Sequence, residues 1–328
     1  MKAIVYAKYG GPEVLHLAER RAPALPEGGA RVRVQAAAVT SADWRLRAAA
    51  FPGVLALVGR AMFGLLRPRA EVLGSAFAGE VTEAAPGAPW RPGQQALGFV
   101  PAGAHAEELV IGPGACVVAR PEGMSAEAGA ALPFGGLAAL VFLRDVAKVQ
   151  PGQRVLITGG SGEVGAMAVQ IARALGARVT AMASAGNLDL LRDLGAETVW
   201  DYRATDLARI EGGAEGGFDL VFDTFGALSV RQARALLRPG GVFVPLNFGL
   251  AEIAAALCPW ALKPVRIHVN ADRAEDLTTL LALWQAGQLR PQIDARYPLA
   301  EARSAHARVE GRHKRGAVLL QMTRREEA

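Results

Sequence analysis

The chain has 328 residues, 51% of them hydrophobic and 20% charged, a balance typical of a folded, water-facing protein with enough length for two cores. The net charge of +5 comes mostly from arginines scattered among Ala, Gly and Pro. Only "GRHKR" (Gly311–Arg315) is dense, so compositional bias accounts for the charge better than nucleic-acid binding. Two cysteines, Cys116 and Cys258, are too few for a disulfide framework or a cysteine-rich zinc site.

The chain opens with "KAIVYAKY", which alternates like a strand and has no signal-peptide core, so a cytoplasmic protein is expected. Short strands follow through residue 122 ("ARVRVQAAAV", "AFAGEVTEA", "HAEELVI"), separated by Gly/Pro turns. A helical stretch, "SAEAGAALPFGGLAALVFLRDVA", contains the longest uncharged run, Ala128–Leu143. Pro133, Gly135 and Gly136 interrupt that run, so it does not read as a membrane span. From Pro151 the texture changes to strands alternating with helices: "RVLIT", "EVGAMAVQIARALG", "RVTAMA", "NLDLLRDLG", "TVW", "DLVFDT", "SVRQARALL" and "GVFVPL". That alternation predicts βαβ units and a parallel sheet. The tail from Arg266 predicts a strand, two amphipathic helices and a last strand, "GAVLLQM", which returns to the first domain.

The segment "ITGGSGEVGAM" (Ile157–Met167) has Gly160, Gly162 and Gly165 at dinucleotide-fingerprint spacing, between a strand and a helix. The first glycine allows the tight turn, the second lets backbone approach a pyrophosphate, and the third lets the helix pack closely. Gly160, Ser161, Gly162, Glu163 and Val164 are therefore candidate cofactor contacts, with the helix N-terminus facing the anion. Glu163 is the anomaly. A carboxylate there favours the helix dipole if it points to solvent, the expected orientation, but repels a pyrophosphate if it points inward. The second strand ends in "VTAMASAGN" (Val179–Asn187), with no acid to bind a ribose 2′-hydroxyl. Ser184 and Asn187 can donate to a 2′-phosphate, which favours NADPH over NADH. The alternative is that they only cap the following helix.

These residues resemble the medium-chain dehydrogenase/reductase superfamily, in its zinc-free NADPH:quinone-oxidoreductase branch. "MKAIVYAKYGGPEVL", "AAAVTSADWRLR", "VLGSAFAGEV", "AALPFGGLAAL", "QPGQRVLITGGSGEVG", "FDLVFDTFG" and "LRPQIDARYPLAEA" carry the likeness along the whole chain. The resemblance implies an α/β protein in which a chaperonin-like (GroES-like) β-barrel domain accompanies a Rossmann domain with a doubly wound parallel sheet. Residues 1–122 with 266–328 would form the barrel domain and 123–265 the Rossmann domain. Zinc-dependent relatives hold zinc with Cys, His and Cys; the matching positions here are Thr40, Ser75 and Phe134, so no metal is expected.

The resemblance further implies hydride transfer from NADPH to a quinone or α,β-unsaturated carbonyl in an interdomain cleft. Thr40, Trp44 and Phe134 are its substrate-cleft candidates, and Asp43 reads as structural, bonded to backbone or Arg47. Tyr202 and, at more distance, Arg315 are candidates for the 2′-phosphate. Thr224, Phe225, Gly226, Leu246, Asn247 and Phe248 fall where the sheet edge meets the nicotinamide; for the hydrophobic ones, core packing is the alternative. The family commonly has Asn at Thr40, an acid at Ala76, Thr at Ala138, Gly at Glu163 and Lys at Ala317. These departures keep open a cofactor-binding protein with little turnover. A homodimer is expected from relatives. The apolar loop Arg47–Arg69 reads as an acceptor cover, a subunit contact or a helix on the barrel.

Overall fold

The computed structural model describes residues 1–50, 55–205, 216–258 and 263–322. Its centre is a five-stranded parallel sheet in the spatial order Thr198–Asp201, Arg178–Ala183, Arg154–Thr158, Phe218–Asp223, Leu237–Pro245. Chain order reverses between Arg154–Thr158 and Phe218–Asp223, which leaves a crevice beyond their C-terminal ends. Side-chain alternation supplies two cores. Val155, Ile157, Leu220, Phe222, Val242 and Val244 face one helix layer, while Leu156, Val221, Phe243 and Met182 face the other. This is the parallel sheet that the alternating pattern predicts, in the doubly wound Rossmann arrangement that the resemblance implies.

A seven-stranded mixed sheet forms the GroES-like part. Its longest strand, Ala30–Val39, begins with Val32 and Val34 inward and Arg33 outward, then becomes buried on both faces. Ala37 enters the barrel interior, whereas Ala36 and Ala38 join the core shared with the parallel domain. The last strand, Ala317–Gln321, pairs antiparallel with it. The tail thus returns to the first domain.

Two expectations need correction. Around Arg266 there is no strand, only a single bridge from Val265 to Phe243. The second partner of the last strand is Ile293–Pro298, whose alternation is too weakly apolar to stand out. The stretch from Ser125 to Ala147 is divided into helices Ala126–Ala131 and Pro133–Val141 and a π-helical turn, Phe142–Ala147, because Pro133 has no N–H to continue the first helix. The helix Glu163–Ala174 is buried over almost its whole circumference. Gly135 lets helix Pro133–Val141 lie against its first turn: a Cβ at Gly135 would be 2.6 Å from the Glu163 carbonyl oxygen.

Within Arg47–Arg69, residues 51–54 lie outside the described residues. The segment contains helix Leu55–Phe63 and folds back on the chain start, where the Tyr9 hydroxyl donates to the Gly64 carbonyl at 2.6 Å. Among the described residues no helix is long and apolar enough to cross a membrane.

Candidate cofactor and substrate site

The fingerprint turn sits at the reversal point of the parallel sheet. Its left-handed residue is Gly159 (φ +62°), not Gly160. Gly160 is instead squeezed between Leu191 and Ala181. Gly165 has no room for a side chain, since a Cβ would lie 2.1 Å from the Gly159 carbonyl oxygen. Gly162 is the helix N-cap and contributes no side-chain cap, so the first-turn N–H groups face the crevice without an intrinsic partner. The barrel's tail closes on this turn: Gly316 N–H donates to the Ser161 carbonyl at 3.0 Å.

Glu163 overturns the outward expectation. Its side chain is 3% exposed and accepts a hydrogen bond from Lys314 Nζ at 2.6 Å; Lys314 is itself only 10% exposed. Oε1 has no partner. Burial pushes the Glu163 carboxyl above its usual range, opposed by Lys314. The side chain turns toward the interdomain seam because the neighbouring helix presents Gly135, which leaves space there. The carboxylate is therefore buried at the seam, and a cation supplied by the chain's tail accompanies it.

At the far end of the turn, Asn187 Nδ2 donates to Ser184 Oγ at 3.1 Å and to Ser161 Oγ at 3.2 Å. Neither Ser184 nor Asn187 makes a side-chain cap bond, which removes the capping alternative. Asn187 Oδ1 is buried without a partner. Arg315 reaches the same turn and donates to the Gly186 carbonyl. Tyr202, half exposed, hangs beside the end of the second strand through its N–H bond to the Ala183 carbonyl. The guanidinium of Arg203, absent from the sequence-derived candidates, stacks over the Tyr202 ring at 5.5 Å. No carboxylate lies in the segment from Val179 to Asn187.

The loop after strand Phe218–Asp223 is shaped by a fully buried carboxylate that the sequence reading passed over as an ordinary strand end. Asp223 Oδ1 accepts from the backbone N–H groups of Phe225, Gly226 and Ala227, and Oδ2 accepts from that of Leu228. The Thr158 hydroxyl donates to it at 2.6 Å. Thr224 donates its own hydroxyl to the Thr158 carbonyl at 2.7 Å. These bonds turn Phe225 and Gly226 outward at the crevice rim, Phe225 being 49% exposed. Phe225 is thus not a core residue. Leu246 is partly packed against the main core, while Asn247 Oδ1 accepts from Arg45 Nη2 across the cleft at 2.7 Å. Phe248 is half-buried beside it in sequence.

On the barrel side Thr40 is not a surface of the cleft. It is fully buried as the N-cap of helix Ser41–Ala48 and donates its hydroxyl to Asp43 Oδ2 at 2.7 Å. A Thr–Asp capping box consumes the one polar group it could offer. Asp43 also accepts from the N–H groups of Thr40 and Gly74. It is structural as expected, but it bonds to backbone and Thr40 rather than to Arg47, which pairs with Glu310. Trp44 and Phe134 are partly exposed; Phe134 stacks on Phe99 with centroids 6.3 Å apart. Ser75 is buried, and among the described residues no group of three or more His, Cys, Asp and Glu could hold a metal ion. A cavity of about 420 Å³ lined by Gln35, Glu127, Gln321 and Met322 contains none of the candidate residues.

A zinc-binding dehydrogenase family model matches residues 194–320. The quinone-oxidoreductase homolog of Spinacia oleracea is 27% identical over 333 residues, covering 98% of each chain. The solved quinone oxidoreductase of Coxiella burnetii superposes with a TM-score of 0.86 at 27% identity, over 98% of this chain and 99% of that one. Over its whole length the chain is similar to medium-chain dehydrogenase/reductases of the quinone-oxidoreductase branch. It is also 33% identical over 272 residues to the pikromycin polyketide synthase component PikAII of Streptomyces venezuelae, of which it spans 7%. A GroES-like part and a Rossmann part meet at one cleft. In this oxidoreductase, Arg312, Lys314 and Arg315 of the dense basic motif are distributed along that seam, over Phe225, Glu163 and Gly186 respectively.

Proposed function

We propose that this oxidoreductase transfers hydride from NADPH to a quinone or α,β-unsaturated carbonyl without zinc. The observation that carries the reading is the fingerprint turn at the sheet's reversal point, with an adenosine end that is polar and cationic and a segment Val179–Asn187 that brings no carboxylate to it. The residues fit the cofactor. The uncapped helix N-terminus at Gly162 suits a pyrophosphate. Ser184, Asn187, Arg203 and Arg315 carry the donors at this end that suit a ribose phosphate. Glu163 is tolerated because Lys314 neutralises it.

Zinc does not fit. Thr40 is locked in its cap, Ser75 is buried and Phe134 has no donor atom. Bound NADPH would supply the hydride, leaving as NADP⁺, while the reduced acceptor takes its proton from water. The chain's own contribution is to hold the two reactants together in the cleft. The relatives named as quinone oxidoreductases support this acceptor class.

A second reading, an NADPH-binding protein with little turnover, rests on the engaged Thr40 hydroxyl and on Ala76 and Ala138, which bring only methyl groups. Titration with NADPH and NADH, followed by nicotinamide fluorescence, tests the cofactor. NADPH oxidation with naphthoquinones, benzoquinones and enones tests the reaction. Tight NADPH binding with multiple turnover is expected. Binding without turnover on any acceptor would leave the second reading, and a preference for NADH would overturn the assignment of the adenosine end.

A further inference from the structure

Two arginines meet at the acceptor end of the cleft, neither with a counter-charge among the described residues. The Arg45 and Arg312 guanidinium carbons lie 5.8 and 5.7 Å from the Trp44 ring centroid. Arg312 is also 5.7 Å from the Phe225 ring, so it bridges from the barrel to the rim of the Rossmann sheet. Arg45 crosses the same gap to Asn247. Among the described residues neither forms an ion pair, whereas nearby Arg47, Arg308 and Lys314 pair with Glu310, Asp294 and Glu163. The two positive charges feel one another: burial, and then Arg312, hold the Arg45 guanidinium below the usual arginine range.

Aromatic faces hold guanidinium planes in place without neutralising them. Held that way, their N–H groups remain available for a bidentate oxyanion. The neighbours Phe225 and Asn247 leave the C-terminal ends of the two strands expected to face the nicotinamide, so an anion here would belong to the acceptor.

The geometry points to an anion-binding subsite formed by Arg45 and Arg312, and hence to an acceptor that carries a carboxylate or phosphate beside its conjugated carbonyl. This inference rests on the proposed reductase activity and narrows its substrate class. The other source of an oxyanion is a phosphate of NADPH itself, and the test separates the two.

The probes are 1,4-naphthoquinone, its 2-sulfonate and NADPH, used with the full chain and with Arg45→Gln, Arg312→Gln and the charge-retaining Arg312→Lys. The expected result is a rise in KM for the sulfonate of about tenfold or more in the two glutamine variants. Their kcat, their KM for the neutral quinone and their Kd for NADPH should stay within about twofold, and Arg312→Lys should recover part of the loss. Equal rises for both quinones overturn the inference, as does an unchanged sulfonate KM. A matching loss of NADPH affinity assigns the arginines to the cofactor and overturns it too. If neither quinone is reduced, the reductase reading fails, and calorimetric binding of naphthalene-2-sulfonate still decides the subsite. Binding that weakens about tenfold in Arg45→Gln/Arg312→Gln supports it, and equal binding refutes it.

Discussion

Replacing Lys314 with Met should turn a tolerated carboxylate into a pH-dependent fault. Glu163 and Lys314 are joined by one 2.6 Å bond at 3% and 10% side-chain exposure, and the second carboxylate oxygen has no partner. Removing the cation leaves a buried charge uncompensated, which costs about 3–5 kcal/mol while the group remains ionised. The carboxyl can avoid part of that cost by binding a proton, because burial already raises its pKa and Lys314 is what opposes the shift. A raised native pKa means that the folded variant binds a proton before the unfolded chain does. Stability is therefore fully recovered only below the unfolded value and is lost as pH rises through the native one, at up to about 1.4 kcal/mol per pH unit. Urea unfolding followed by tryptophan fluorescence should show a deficit in Lys314→Met that is large at about pH 8 and shrinks toward about pH 5. Glu163→Gln/Lys314→Met should lack this added slope and recover most of the loss, giving a coupling energy of at least about 2 kcal/mol. A pH-independent deficit below about 1 kcal/mol, or losses that simply add in the double variant, would refute the buried-pair argument.

Arg203→Gln and Arg315→Gln should each weaken NADPH about tenfold and leave NADH within about twofold, as read by nicotinamide fluorescence; parallel losses for both cofactors would remove these residues from the 2′-phosphate. Asp223→Asn replaces an acceptor of four backbone N–H groups with an amide that accepts through one atom. It should cost about 3 kcal/mol in urea unfolding and lower NADPH affinity as well, because the 224–228 loop loses its shape. His306 is fully buried, with both ring nitrogens unpartnered and the His105 ring 5.5 Å away. Burial, then His105 and Arg47, push its pKa well below the usual histidine value. The unfolded chain thus binds a proton that the native state refuses, and stability should decline as pH falls below about 6.5. His306→Leu should flatten that part of the pH–stability curve, and an unchanged slope would show that His306 does not carry it.

Much of this protein could be read along the chain because its patterns are local. The strands Ala76–Ala84, Arg154–Thr158 and Arg178–Ala183 coincide with apolar alternation or runs bounded by glycine. The fingerprint identifies itself through a strand, a glycine turn and a helix in immediate succession. The lack of an acid after Ala183 is likewise a property of consecutive residues. What the sequence could not decide is where side chains distant in the chain meet. Glu163 could be solvated or inward by its own spacing; Gly135 opening a gap and Lys314 arriving from 151 positions away make it inward. Thr40 has the right hydroxyl for a cleft, but Asp43, three residues on, engages it once the helix turns. Asp223 looks like any strand end until the loop folds its N–H groups back onto the carboxylate. The basic motif Gly311–Arg315 is evident as charge, but only the return of the last strand to Ala30–Val39 distributes Arg312, Lys314 and Arg315 along the domain seam. Periodicity records which face of an element seeks burial, whereas ion pairs and shared sites depend on the packing that brings separate elements within a few ångströms.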